Sequence, residues 1–525
     1  MGGASAYNFM VAAAVTVGSF TYGFNNSVIA PVYGIPAFLN YFGLSADTDD
    51  QRTASIIGAA NGLFFGGGML GCFTVAWKGD FYGRVRNLQI AAATCLIAAI
   101  IQGASVHIAM FIVGRFISGY GSGAIVSLIP TYLSEIAPPH MRGRMVGLAA
   151  VGQVTGYSVA GWAGYGCYFG NASTSWRLLV CLQVISPAFI LAVSPWLPES
   201  PRWLMLRGLH AEAFASLKKL HHTAHDTDDI LAREEYLQIK KQVNLDILKP
   251  RTLWAILKIP SYRRRLFTAM FLEFLYQSTG VLVVNNYQVL LYSNLGLNGS
   301  VTLLLYAVYC SWAGVVNFAS TYFIDRFGRV KMMIWGTIGS IANIILLMSM
   351  IAKYGGTTNK IANGFGVFFL FFYVTWYGFG IDPTIYVYMS ELFPTHVRSQ
   401  GVAMGLASFL GSALVYNEVA GTAFATIGWK YYLVFIAVTL AGLPFLLFCC
   451  PETKGLTLEE VGQLFGDEVG LDLTHMTPEQ RQELDRKLLA EDPILNAGRS
   501  SPPETDVETK SAIPGRTVHL EVADV

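Results

Sequence analysis

Ten polar side chains interrupt otherwise apolar stretches, and they are the residues with chemistry to offer. YQSTGVLVVNNY, residues 276–287, carries Gln277, Asn285, Asn286 and Tyr287. Asp382 and Tyr386 stand in GIDPTIYVYM, Asn417 and Glu418 in YNEVAG, Gln153 in VGQVTG, and Glu273 just before the first of these. Amides, carboxylates and phenols recognise solutes by hydrogen bonding. They do not assemble a Ser/His/Asp arrangement, a metal-spaced cluster or a cofactor fingerprint, so an enzyme is not supported. Gly66-Gly67-Gly68 lacks the Lys-Ser/Thr that a phosphate loop needs. Intrahelical Asn and Gln also bond neighbouring helices, and intrahelical tyrosines also pack, so each residue has a structural reading as well.

A second set of charges is repeated. SEIAPPHMRG (134–143) returns as SELFPTHVRS (390–399) half the chain later, GDFYGR (79–84) as DRFGR (325–329), and PES (198–200) as PET (451–453). These turns place Asp80, Arg84, Glu135 and Arg142 in one copy and Asp325, Arg329, Glu391 and Arg398 in the other. Bidentate carboxylate–guanidinium pairs among them could latch two halves of a molecule together, acting as a gate.

The elements that position these groups follow from composition. Of 525 residues, 53% are hydrophobic and 13% charged, and the mean hydropathy is +0.45. A soluble chain would carry about 25% charged residues. Net charge is +1, which gives no reason to expect nucleic acid. Seven cysteines, mostly inside apolar runs, form no disulfide or zinc framework. The start, MGGASAYNFM, lacks the positive flank of a cleavable signal, so the first apolar run is read as a retained span.

Runs of spanning length lie near 8–30, 53–77, 88–107, 109–131, 145–168, 178–197, 266–292, 301–325, 330–352, 364–389, 400–424 and 430–450. Helices are the spanning element, because lipid leaves other backbones unpaired. The expected fold is an all-α membrane protein of about twelve transmembrane helices in two pseudo-symmetric six-helix bundles. Its parts are a first bundle (1–197), a helical cytosolic linker (198–265), a second bundle (266–450) and a partly disordered cytosolic tail (451–525). Connections after the even-numbered spans hold Lys78, Arg84, Arg86, Arg142, Arg144, Arg263 to Arg265, Arg326, Arg329, Lys331 and Arg398. The opposite connections hold only Arg52, Arg177, Lys353, Lys360 and Lys430. Both termini are therefore expected in the cytosol. The glycosylation acceptors Asn171-Ala-Ser and Asn298-Gly-Ser fall on the outer side. Glu273, near the inner end of span 7, is expected to reach the headgroups beside Arg263 to Arg265.

The motifs GDFYGR, GRFISGYGSG, PTYLSEIAPPHMRGR, PESPRW, DRFGRVK, SELFPTHVRSQG, IGWKYY and PETKGLTLEEV together resemble the sugar porter branch of the major facilitator superfamily. The look is that of fungal hexose and disaccharide carriers. The resemblance implies transport of a mono- or disaccharide by alternating access at the plasma membrane, with a sugar and the lipid bilayer as partners. It implies no cofactor, no metal and no covalent chemistry, and a monomer is the default. It also implies substrate contacts from Gln153, Gln277, Asn285, Asn286, Tyr287, Asp382, Tyr386, Asn417 and Glu418. Tyr276 and Leu282 depart from the family pattern, which usually has Gln and Asn there. The family's proton symporters place Asp in span 1, where this chain has Asn25; its partner Arg115 is present. Asn cannot titrate, which favours facilitated diffusion. Proton symport through Asp382 or Glu418 stays open, as do a carrier of a non-sugar metabolite and a sugar sensor on the same scaffold.

Overall fold

The computed structural model describes residues 6–44, 51–137, 142–170, 174–221, parts of 229–243, 253–294, 297, 299–354, 360–394, 396–456 and parts of 461–466. Asn171, Asn298 and the side chain of Arg142 lie outside the described residues, as does the chain after 466. Among the described residues, ten helices are long and apolar enough to cross a membrane. Ala6–Ser27 and Arg142–Tyr168 have the length but carry more polar and glycine residues, and they complete twelve. In chain order, spans 1 to 6 are Ala6–Ser27, Arg52–Tyr82, Arg84–Gly103, Ile108–Ile136, Arg142–Tyr168 and Ser175–Trp196. Spans 7 to 12 are Pro260–Asn286, Ser300–Phe327, Arg329–Tyr354, Ile361–Leu392, Arg398–Thr426 and Gly428–Phe448. Shorter helices, Pro201–Leu206, His210–His221 and Leu253–Lys258, lie between the two sets.

The duplicated motifs fold into duplicated structures. In the first half Arg84 bonds Asp80 at 2.6 Å and grips Glu135 through both Nε and Nη2, at 2.9 and 2.8 Å. Glu199 of the PES motif accepts the Arg84 and Val85 backbone N–H groups at 2.8 and 3.2 Å, capping the start of span 3. In the second half Arg329 meets Asp325 at 3.0 Å and Glu391 at 2.8 and 3.1 Å. Glu452 of the PET motif caps span 9 through Arg329 and Val330, at 2.8 and 3.1 Å. A carboxylate on a helix N-terminus satisfies orphan donors and the positive helix end together. The chain enters both helices through a glycine of positive φ, Gly83 at 88° and Gly328 at 97°, where L-residues are strained.

The bundles meet along two seams: span 2 lies against span 11, and span 5 against span 8. A half-turn about the molecular axis turns span 2 into span 8 and span 11 into span 5, so the seams are the same contact made twice. This is the layout of parallel repeats related by an axis along the membrane normal.

Two spans are broken near mid-membrane. Span 7 stops at Gln277, turns through Ser278–Gly280 and resumes at Val281. Gly280 has φ 83°, and a Cβ there would lie 2.8 Å from the Phe435 ring. Carbonyls freed by the break are taken by other spans: Thr439 donates to Ser278 O at 3.1 Å, and Tyr373 to Thr279 O at 3.1 Å. Span 10 breaks at Ile381, after which Asp382–Leu392 forms a half-helix with Pro383 in its first turn. Pro383 has no N–H for the Phe379 carbonyl four residues back; the Ser320 hydroxyl of span 8 donates to it at 2.6 Å.

Candidate functional site

The broken spans open on a narrow cavity between the halves. Its walls are Gln153, Val154 and Tyr157 from span 5, Val281, Leu282 and Asn285 from span 7, Tyr309, Cys310, Ala313 and Asn317 from span 8, and Val374, Tyr377, Asp382 and Phe409 from spans 10 and 11. Hydrogen bonds cross from one half to the other on either side of it. Tyr386 donates to Gln153 Oε1 at 2.8 Å, and Gln153 donates to Tyr157 Oη at 2.8 Å. Asn26 also donates to Tyr157, at 3.2 Å. Toward the other end Ser27 bonds the Tyr306 hydroxyl, which donates to Asn285 Oδ1 at 2.7 Å. Side chains of opposite halves thus meet on both sides of the cavity.

Of the residues expected at a site, Gln153, Asn285 and Asp382 line the cavity, and Tyr386 reaches it through Gln153. The others are elsewhere. Asn286 donates to Asn417 Oδ1 at 3.1 Å and Tyr287 to the Asn417 carbonyl at 2.9 Å, fastening span 7 to span 11. Gln277 is fully buried, and neither amide atom has a partner. Glu418 is exposed and lies on Gly58 and Gly62 of span 2, at a seam rather than in the cavity. Tyr157, Tyr309, Asn317 and Tyr377 line the cavity but were not singled out in the sequence. Their only signal was a polar atom in a span, which structural residues share.

Glu273 corrects another expectation. It is 2% exposed, packed beside Gly405 and Met389, with Oε1 unpartnered. Span 7 starts at Pro260, so residue 273 is more than three turns inside it.

The charged turns also differ from the expected latch. Arg84 pairs with Asp80 and Glu135, and Arg329 with Asp325 and Glu391, each within one half. Arg398 likewise donates to Phe393 O of its own half, at 3.3 Å. Both aspartates also face the opposite half. Ser399, in the first turn of span 11, donates to Asp80 Oδ1 at 2.9 Å. Gly143, in the first turn of span 5, lies so near Asp325 that an added Cβ would be 3.1 Å from Oδ1. Each aspartate faces a helix N-terminus of the opposite half, an attractive charge–dipole arrangement.

At the position of the expected coupling acid, Asn25 donates to Ser122 Oγ at 3.0 Å. Arg115 is fully buried, donates through Nη1 to the Asn25 carbonyl at 2.5 Å and sits 4.2 Å over the Phe64 ring.

Twelve spans in two related bundles around a central, two-sided cavity define a membrane transporter of the major facilitator fold. The sequence model described as "Sugar (and other) transporter" matches residues 11–465, and the chain belongs to that family of carriers. It is 28% identical to the MFS-type transporter criB of Aspergillus cristatus, over 86% of this chain and 92% of the relative. It is 29% identical to a high-affinity glucose transporter of Kluyveromyces lactis, over 88% and 86%. A probable quinate permease of Aspergillus niger is 28% identical, over 87% and 88%. Among solved structures, the proton:xylose symporter XylE bound to 6-bromo-6-deoxy-D-glucose superposes with a TM-score of 0.74 at 22% identity, covering 87% of this chain and 99% of that one. XylE from E. coli in its inward open conformation gives 0.66 at 21% identity, over 87% and 99%.

Proposed function

We propose that the protein carries a sugar, a mono- or disaccharide, across the membrane by alternating access, as facilitated diffusion. The observation that carries this reading is the cavity, where amides, phenols and one carboxylate from both halves converge at the breaks in spans 7 and 10. Gln153, Asn285, Asn317 and Asp382 supply hydrogen bonds to hydroxyls, and the tyrosine rings cover C–H faces. Breaking Tyr386–Gln153 and Ser399–Asp80 opens one end, and breaking Ser27–Tyr306 opens the other. The charged turns face the cytosol in this reading, with both termini there and the plasma membrane as the site of action. The relatives named for glucose and the sugar-bound neighbour support a sugar.

Uncoupled transport is favoured by Asn25, whose amide cannot titrate where a symporter needs an acid and bonds Ser122, while Arg115 takes only the Asn25 backbone carbonyl. The location of Asp382 in the cavity wall favours proton symport as the second reading. Labelled-sugar uptake into proteoliposomes decides between them. Facilitated diffusion equilibrates the label and ignores a protonophore, whereas accumulation that collapses with the proton gradient rejects it. Replacing Asn25→Asp is expected to restore an ion pair with Arg115 and to make uptake depend on pH; uptake that stays indifferent to pH counts against the assignment of Asn25.

A further inference from the structure

One titratable acid lines the cavity. It is Asp382, and among the described residues no lining residue is Lys, Arg or His. The Arg115 guanidinium donates through Nη1 to the Asn25 carbonyl, lies over the Phe64 ring and does not line the cavity. The position of Asp382 adds a second constraint. It occupies the first turn of the 11-residue half-helix Asp382–Leu392, whose N-cap residue Ile381 offers no side-chain cap. In carriers with broken helices, the N-terminus of such a half-helix is the natural seat for an anionic group of the solute. Here the chain's own Asp382 stands in the first turn of that half-helix. The remaining polar lining, Gln153, Tyr157, Asn285, Asn317 and Tyr377, is neutral and suits hydroxyls.

We infer that Asp382 sets the charge selectivity of the cavity, which admits neutral and cationic polyhydroxylated solutes, amino sugars among them, and refuses their carboxylate analogues. A solute carboxylate within a few ångströms of Asp382, in a site of low dielectric, is disfavoured by about tenfold or more. An ammonium group gains by the same interaction. The inference rests on the carrier reading above and names the solutes within it.

The test uses the full chain in proteoliposomes near neutral pH, with labelled glucose, glucosamine and gluconate as probes. Glucose and glucosamine uptake is expected to exceed gluconate uptake by about tenfold or more. Asp382→Asn should bring gluconate to within about threefold of glucose and lower glucosamine relative to glucose, because the repulsion and the attraction disappear together. Asp382→Glu should keep the wild-type ranking. If Asp382→Asn does not yield folded protein, Asn317→Asp serves instead: a second carboxylate on the same wall should widen the gap between glucosamine and gluconate. Gluconate entering as fast as glucose in the wild type overturns the inference while leaving a sugar carrier. So does a ranking that neither variant alters. Uptake of none of the three probes, nor of labelled maltose, defeats the sugar reading and the inference with it.

Discussion

Arg84 holds more of the charged end together than any neighbour, joining Asp80, Glu135 and, through its backbone, Glu199. Its side chain and that of Glu135 are 5% and 2% exposed. Removing one member of such a pair leaves a buried charge uncompensated, which costs about 3–5 kcal/mol. Glu135→Gln is therefore expected to lower the thermal unfolding midpoint of the purified protein clearly. Glu212→Gln, in the first turn of His210–His221, is expected to leave it nearly unchanged, since isolated surface charges contribute about 0–1 kcal/mol. The sequence identified Asp80, Arg84 and Glu135 because their counterparts Asp325, Arg329 and Glu391 repeat them. It did not identify their partners, because residue type carries no direction: Arg84 and Arg329 pair with carboxylates of their own half, while Asp80 and Asp325 also face the other. Asn286 and Asn417 illustrate the same limit, since an amide that recognises a solute and one that fastens two helices are the same residue in a string of letters.

At the scale of elements, hydropathy located the twelve spans but treated spans 7 and 10 as continuous. A window average records how apolar a stretch is, not where its backbone changes direction. The signs of the breaks were single residues, Gly280 and Pro383, whose meaning depends on what surrounds them. For Gly280 that context makes a firm expectation. Gly280→Ala combines positive φ with a clash against Phe435, and such strain costs about 1–3 kcal/mol. Lower thermal stability with a weakened sugar-dependent protection is expected; an unchanged midpoint would show that the turn tolerates a side chain.

For the whole molecule, the two seams and the two aspartate contacts obey the same half-turn, so closure of the charged end is shared between equivalent bonds. Two carboxylate–helix contacts together are worth about 1–2 kcal/mol. Asp80→Asn combined with Asp325→Asn should therefore shift the population toward an open charged end. A cysteine introduced at Gly147, which packs across the seam on Thr321, reports the change. Its labelling by a membrane-impermeant thiol reagent should rise several-fold in the double variant, with the exposed Cys181 and Cys449 replaced beforehand. Labelling that does not change would place the closing energy elsewhere along the seams.

The Ser320 hydroxyl on the Phe379 carbonyl has a mechanical consequence. A proline-made joint in hydrocarbon normally bares a peptide oxygen when it flexes, and the surrounding lipid resists that exposure. With span 8 already supplying the missing donor, the lower arm of span 10 can swing with its joint kept covered, provided span 8 travels with it. The two helices would then move as one lever, and a displacement felt at Asn317 would be delivered at Glu391 without any contact between those residues.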